Sequence, residues 1–208
     1  MPHLENLNPQ RFSHASWRFE NRPTSEAVGL LPSPDTDVEA MVAHILDVEG
    51  YPDNVKYVEA IDVVERRSAT DVTYVQHMNL PLIGRIQVQI NLSDYGERDG
   101  YRIVAWDQDD EATTALDKKR GARTAYNLGA WLLTEDSVGY ALSSAPLKSD
   151  VGTLKYMAMT RGADVTASEV LKLNIERVEL PNGTVAQLEQ HRCQRGRRGA
   201  DGRDADSD

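Results

Sequence analysis

The sequence predicts an α+β domain in which a curved antiparallel sheet wraps one or two helices. Three observations carry that expectation. Val38, Met41, Val42, Ile45 and Leu46 recur at three- and four-residue steps, the period of an amphipathic helix. From residue 56 to 144 apolar residues alternate instead, in runs joined by connectors mostly too short for helical crossovers, so neighbouring strands should be antiparallel. Beyond Pro146 the helical period returns, with Val170, Leu171, Asn174, Ile175 and Val178 along one face.

Residues 1–15 are polar and punctuated by Pro2 and Pro9, which reads as a loose arm. Strand candidates follow at 16–22, where Trp17 and Phe19 alternate with charge, and at 26–31; either or both would pair at a sheet edge. Pro32 and Pro34 stop extension, and Ser33 or Asp35 is placed to cap a helix beginning near Asp37. That helix ends in a knee at Gly50 and Pro52, after which Val55, Tyr57, Ile61 and Val63 fall on alternate positions. Further strands are expected over 56–66, 72–80, 85–93, 101–107, 112–116, 123–133 and 137–144. Residues 85–92 are the clearest, with Ile86, Val88, Ile90 and Leu92 on one face and Gln87, Gln89 and Asn91 on the other. Connectors such as 68–71, 96–100, 118–121 and 134–136 carry turn chemistry. Residues 154–159 form an apolar patch of helical character interrupted at Gly162. Thr166 and Glu169 then have the spacing of a capping box before the last helix, which Pro181-Asn-Gly183 stops.

A chain of 208 residues suits one domain with tails: an arm over 1–24 that takes in the edge strand, a domain over 25–182, and a tail over 183–208. Residues 191–208 contain five Arg, four Asp and three Gly with almost no large apolar side chain, so the tail is expected to be disordered. The 33 acidic and 23 basic side chains give a net charge of -10, which repels phosphate backbones and argues against nucleic acid as a partner. Cys193 is the single cysteine, so an intrachain disulfide and a multi-thiolate metal site are excluded and a reducing compartment fits best. The first residues lack the apolar run of a signal peptide, and no segment reaches transmembrane length. A cytoplasmic protein is therefore expected, with at most transient membrane contact and its oligomeric state left open.

Searching for chemistry yields little. Ser143-Ser144 lies at an expected strand end, but no nucleophile elbow accompanies it, and the pair reads as turn residues. His44 sits on the first helix and His77 opposes the phase of Tyr74 and Met78; neither has further ligands at metal-binding spacing. The acidic run 107–112 lacks the spacing and glycine of a calcium loop and reads as a solvated turn. Lys118-Lys-Arg120 reads as a hairpin end, and no glycine loop that would cradle a phosphate is placed after a strand. No catalytic group, metal or cofactor is expected from these residues.

The order of elements resembles the START-like, or helix-grip, superfamily, which includes lipid-transfer domains, polyketide cyclases/dehydrases and coenzyme Q-binding proteins. Val38-Glu-Ala-Met-Val-Ala-His-Ile-Leu46 followed by Asp47-Val-Glu-Gly-Tyr-Pro52 is similar to that family's first helices leading into the second strand. Residues 58–66 resemble that strand, Leu80-Pro-Leu-Ile-Gly-Arg85 the break before the fourth, and Gly129-Ala-Trp131 with 138–144 the last hairpin. The resemblance spans about residues 25 to 180. It implies a helix-grip fold: a curved antiparallel sheet of about six to seven strands around a long C-terminal helix, with short helices after the first strand.

The resemblance also implies an apolar cavity. Tyr74, Met78, Val88, Ile90, Trp106, Trp131, Tyr140, Met157 and Leu171 have strand phases or helix positions that would face it. Without the resemblance the same side chains would simply be core. The function it implies is binding, with transport as an extension, of a small hydrophobic ligand such as a lipid, sterol, quinone or polyketide. An aromatase/cyclase-type enzyme using Tyr74, His77, Arg123 or Asn127 for proton transfer is the alternative. A non-catalytic interaction domain with a filled interior is the third reading.

Overall fold

The computed structural model describes residues 13–18, 25–80, 84–154 and 156, with side chains from Val28 onward. The element order is β1 (Ser13–Arg18), β2 (Ser25–Pro32), α1 (Val38–Leu46), α2 (Tyr51–Asn54), β3 (Val58–Ser68), β4 (Asp71–Leu80), β5 (Gly84–Arg98), β6 (Tyr101–Gln108), α3 (Asp110–Ala115), β7 (Ala122–Thr134), β8 (Ser137–Pro146) and α4 (Lys148–Val151). The strands form one sheet in the order β1-β2-β8-β7-β6-β5-β4-β3. β1 is at the edge of the sheet, paired antiparallel to β2, and the other seven strands fall between residues 25 and 146. The expected last helix, with Leu171 on it, lies outside the described residues, as do Met157 and the tail.

Local chemistry accounts for the elements. Asp37 caps α1 by accepting from the Ala40 amide, and Met41, Val42, Ile45 and Leu46 form its buried stripe. Asp99 and Gly100, at φ 51° and 80°, make the tight turn that joins β5 to β6, so the turn is shorter than the expected connector and β5 correspondingly longer. β3 begins at Val58, later than the sequence period indicates. Tyr57 sits at φ 72°, which breaks the alternation from Val55 and resets the phase so that Val58 is buried. Ile61 still packs on the core, but Val63 is 40% exposed, because β3 is an edge strand with three register shifts against β4.

The strand expected at 112–116 is instead helix α3, and the acidic run before it is its cap rather than a turn. Asp109 accepts from the Ala112 amide at 2.9 Å. This helix has a topological use. β6 ends at Gln108, and α3 takes over its place beside β5: the Asp109 amide donates to the Gln89 carbonyl at 3.0 Å, and the Gln89 amide donates to Thr113 Oγ1 at 3.0 Å. Beyond it β7 pairs parallel to β5, with Ile86 opposite Ala122 and Gln87 opposite Arg123.

α1 lies across one end of the sheet. Near its start, Ser33 and Thr36 donate to the carbonyls of Asp136 and Glu135 in the β7–β8 turn. At its far end, the Leu46 carbonyl accepts from Arg66 of β3 at 3.4 Å. The helix thus spans from the last hairpin to the β3–β4 hairpin, and its apolar stripe packs onto Leu31, Val72, Val104, Leu133 and Val138.

Candidate functional site

Because side chains alternate along a strand, the pairing register decides which residues share the face turned toward α1. β7 presents Leu133, Trp131, Gly129 and Asn127 in sequence, and β8 presents their partners Val138, Tyr140, Leu142 and Ser144. On β6, Val104 lies opposite Trp131 and Trp106 opposite Gly129. Leu92 then faces Trp106, Val72 faces Leu92, and Tyr74 faces Ile90. The inner face therefore changes character with distance from α1. It is aliphatic beneath the helix, aromatic in the middle, and polar at Asn127 and Ser144, six residues and about 20 Å from Leu133 along β7.

The aromatic middle holds two ring clusters, one of Trp131, Tyr140 and Trp106 and one of Tyr51 and Tyr74. The rings of Trp131 and Tyr140 lie 4.5 Å apart, those of Tyr140 and Trp106 5.3 Å apart, and Tyr51 meets Tyr74 edge-on at 6.2 Å. Gly129 makes room for the first: a Cβ there would come within 2.3 Å of both the Trp106 ring and the Ala141 carbonyl oxygen. Burial pushes the phenols of Tyr51, Tyr74 and Tyr140 above the ordinary tyrosine value, with Tyr140 adding to the rise at the other two. At neutral pH all three are uncharged. The Tyr51 hydroxyl donates to the Ile45 carbonyl and so ties the knee after α1 to the helix itself.

Next to the first cluster runs a short neutral hydrogen-bond chain. Trp106 Nε1 donates to Asn127 Oδ1 at 2.8 Å, and Asn127 Nδ2 donates to Ser144 Oγ at 3.3 Å. Asn127 is buried and Ser144 half-buried. Ser144 is a residue that sequence reasoning passed over. Ser143-Ser144 is not a turn but the interior of β8, where Ser144 faces inward and Ser143 outward. The usable signal was its even spacing from Tyr140 and Leu142.

Of the expected wall residues, Tyr74, Val88, Ile90, Trp131 and Tyr140 lie in one buried cluster, and Met78 and Trp106 pack against it. Met157 and Leu171 fall outside the described residues. The proton-transfer candidates divide. Tyr74 and Asn127 are on the inner face, whereas His77 is on the outer face, 2.9 Å from Asp62. Arg123 is also diverted. It grips Asp150 through Nε at 2.6 Å and Nη2 at 2.9 Å, and donates to the Thr114 carbonyl, joining β7 to α4 and α3. Neither can reach a molecule on the inner face. Among the described residues no group of three or more His, Cys, Asp or Glu side chains is placed to hold a metal ion.

An open cleft of about 660 Å³ lies at the rim, between the start of α1, the β5–β6 hairpin and the β7–β8 turn. Its walls carry Asp37, Glu39, Glu97, Glu135 and Asp136 around Arg102, so it is polar and acidic and unsuited to an apolar molecule. Arg102 is itself held by Asp94 at 2.6 Å. No helix among the described residues is long and apolar enough to cross a membrane.

No family model and no curated protein sequence matches the chain. Solved structures do. A STAR-related lipid transfer protein from Xanthomonas axonopodis superposes with a TM-score of 0.63 at 16% identity, over 81% of this chain and 98% of that one. The fold is START-like. Human STARD10 superposes with a TM-score of 0.59 at 12% identity, over 86% of this chain and 74% of that one. The lipid transfer and protein localization domain of human StarD13 gives 0.53 at 11%, over 79% and 83%. At such identities the START-like likeness is one of architecture: a curved antiparallel sheet, short helices after the first strand of the domain, and an inner face turned toward them.

Proposed function

We propose that this START-like chain binds a small hydrophobic molecule against the inner face of its sheet, with removal of apolar ligand surface from water as the driving force. The observation that carries the reading is the inner face itself: Tyr74, Met78, Val88, Ile90, Trp106, Trp131 and Tyr140 come from five strands yet form one continuous apolar and aromatic surface. The fold supports it, since the Xanthomonas protein and the human StarD13 domain of the same architecture carry lipid transfer in their names. Movement of ligand between membranes is a further extension of the same reading.

Native mass spectrometry of the purified chain, with titration by the neutral dye Nile red, tests it. A co-purified hydrophobic molecule, or saturable dye uptake that Trp131→Ala weakens at least fivefold, is expected. A chain that carries nothing and takes up no apolar probe would sink the proposal.

A further inference from the structure

We infer that the ligand is a flat ring system bearing a carbonyl oxygen, received by Ser144 and Asn127; this rests on the hydrophobic-ligand reading above. An indole nitrogen can only donate, so the oxygen of the Asn127 amide must face Trp106 Nε1, 2.8 Å away. The amide nitrogen must then point the other way, where it donates one hydrogen to Ser144 Oγ at 3.3 Å. Ser144 Oγ accepts that bond, so its own hydrogen is directed elsewhere. One amide hydrogen of Asn127, which is buried, and the hydroxyl hydrogen of its cross-strand neighbour Ser144, which is half-buried, are left over among the described residues. Two adjacent donors in such a place call for an acceptor oxygen, because leaving them unmatched carries a desolvation cost.

The surroundings narrow the class. The cluster of Trp131, Tyr140 and Trp106 adjoins the donor pair directly, since Trp106 belongs to both, and aromatic rings presented at an angle to one another are well met by a further flat ring, offset against one face or edge-on to another. Among the described residues, the arginines at the two ends of the face are already engaged and offer an anionic headgroup no free cation: Arg102 at the start of β6 is held by Asp94, and Arg123 at the start of β7 by Asp150. A neutral ketone or quinone oxygen suits the donors and needs no counter-charge. The gradient along β7 and β8 then fixes orientation, with the carbonyl at Asn127 and Ser144 and the less polar end toward α1.

Equilibrium dialysis of the full chain against 9-fluorenone and fluorene, which share a tricycle and differ by one carbonyl, tests the inference. The wild type is expected to bind fluorenone at least about tenfold more tightly, and Ser144→Ala to bring the ratio of affinities within about threefold. Trp106→Phe, which keeps a ring but frees the Asn127 amide to turn over, should lower the ratio too. Ser143→Ala, on the opposite face, should leave it unchanged. A ratio near one in the wild type, or one that survives Ser144→Ala, overturns the inference. Uptake of 1-monoolein without either tricycle overturns it while leaving the hydrophobic-ligand reading intact, and failure of all three probes overturns both.

Discussion

The two faces of the sheet are built from the same strands and by different chemistry. Inward, β7 and β8 carry Leu133, Trp131, Val138 and Tyr140, and the hydrogen bonds among side chains there are neutral, through Trp106, Asn127 and Ser144. Outward and at the ends, contacts to carboxylates dominate: the ion pairs of Arg123 with Asp150 and Arg67 with Asp71, and the hydrogen bond of His77 with Asp62. Even β4 is divided residue by residue, with Tyr74 inward and Thr73 and His77 outward, all three buried. The charged groups fasten elements to one another; on the inner phase the Arg102–Asp94 pair, opposite Leu133 and Val104, sits at the rim beside α1, and the aromatic middle is left uncharged. An uncharged surface loses little when water is replaced by an apolar molecule, which is why the difference bears on function.

The largest expected effect comes from disturbing the inner face where it has no slack. Gly129→Ala would place a methyl within 2.3 Å of both the Trp106 ring and a backbone oxygen, and backbone cannot step aside as a flexible side chain can. A loss of about 3 kcal/mol in denaturant unfolding is expected. Near-UV circular dichroism should show the tryptophan signal collapsing with it. A neutral outcome would mean that Trp106 is not held against β7.

Asp150→Asn should have the next largest effect, at about 2 kcal/mol, because it leaves the guanidinium of Arg123 short of its partner at a site where the Asp150 side chain is only 4% exposed. The same pair sets an acid limit. Hydrogen bonds from Arg123 hold the Asp150 carboxyl down at about 2, below its usual value. Its contribution is therefore complete above the unfolded-state value near 4 and is lost as pH falls toward 2. Acid unfolding of the wild type and of Asp150→Asn should converge at the low end of that window. If the inner face is independent of this clamp, Nile red uptake per folded molecule stays the same in the variant.

A third test uses alkali. The phenols of Tyr74 and Tyr140 are raised by burial, so the unfolded chain releases their protons more readily than the folded one. The stability they lend is present below the ordinary tyrosine value of about 10 and declines as pH rises beyond it. Tyr140→Phe should flatten the fall in melting temperature between pH 9.5 and 11.5, read against spectrophotometric titration of the phenols. An unchanged slope would place the Tyr140 hydroxyl in water.

How much of this was legible beforehand follows the range of the interactions. α1 and β5 could be read directly, since each carries its period within one element: Met41, Val42, Ile45 and Leu46 are buried, as are Ile86, Val88, Ile90 and Leu92. The inner phase of β4, β6 and β7 was equally readable, and it brought Tyr74, Trp106 and Trp131 together. Three features were not. α3 has six residues, too few to display a period, and its one local sign was Asp109 three positions before Ala112. Ser144 read as a turn because what makes it strand is β2 on its other side, more than a hundred residues earlier in the chain. Arg123 looked available for chemistry because its partner, Asp150, lies beyond the following hairpin. For Ser144 and Arg123 the deciding contact is remote in sequence.

The smallest expected effect is at the outer edge, and it separates a fastening role from a functional one. Asp62 accepts from His77 at 2.9 Å and from Arg120 at 3.3 Å, and its pKa is lowered mainly by the histidine contact. Yet its side chain is 54% exposed, so water and salt screen the pair. Asp62→Asn should cost no more than about 0.5 kcal/mol, and that cost should shrink further in 0.5 M NaCl. Because His77 points away from Tyr74 and Met78, Nile red uptake and the fluorenone-to-fluorene ratio should both be untouched. A change in either would connect the outer face to the inner one through β4, and the division between a charged exterior that fastens and an uncharged aromatic middle would have to be abandoned.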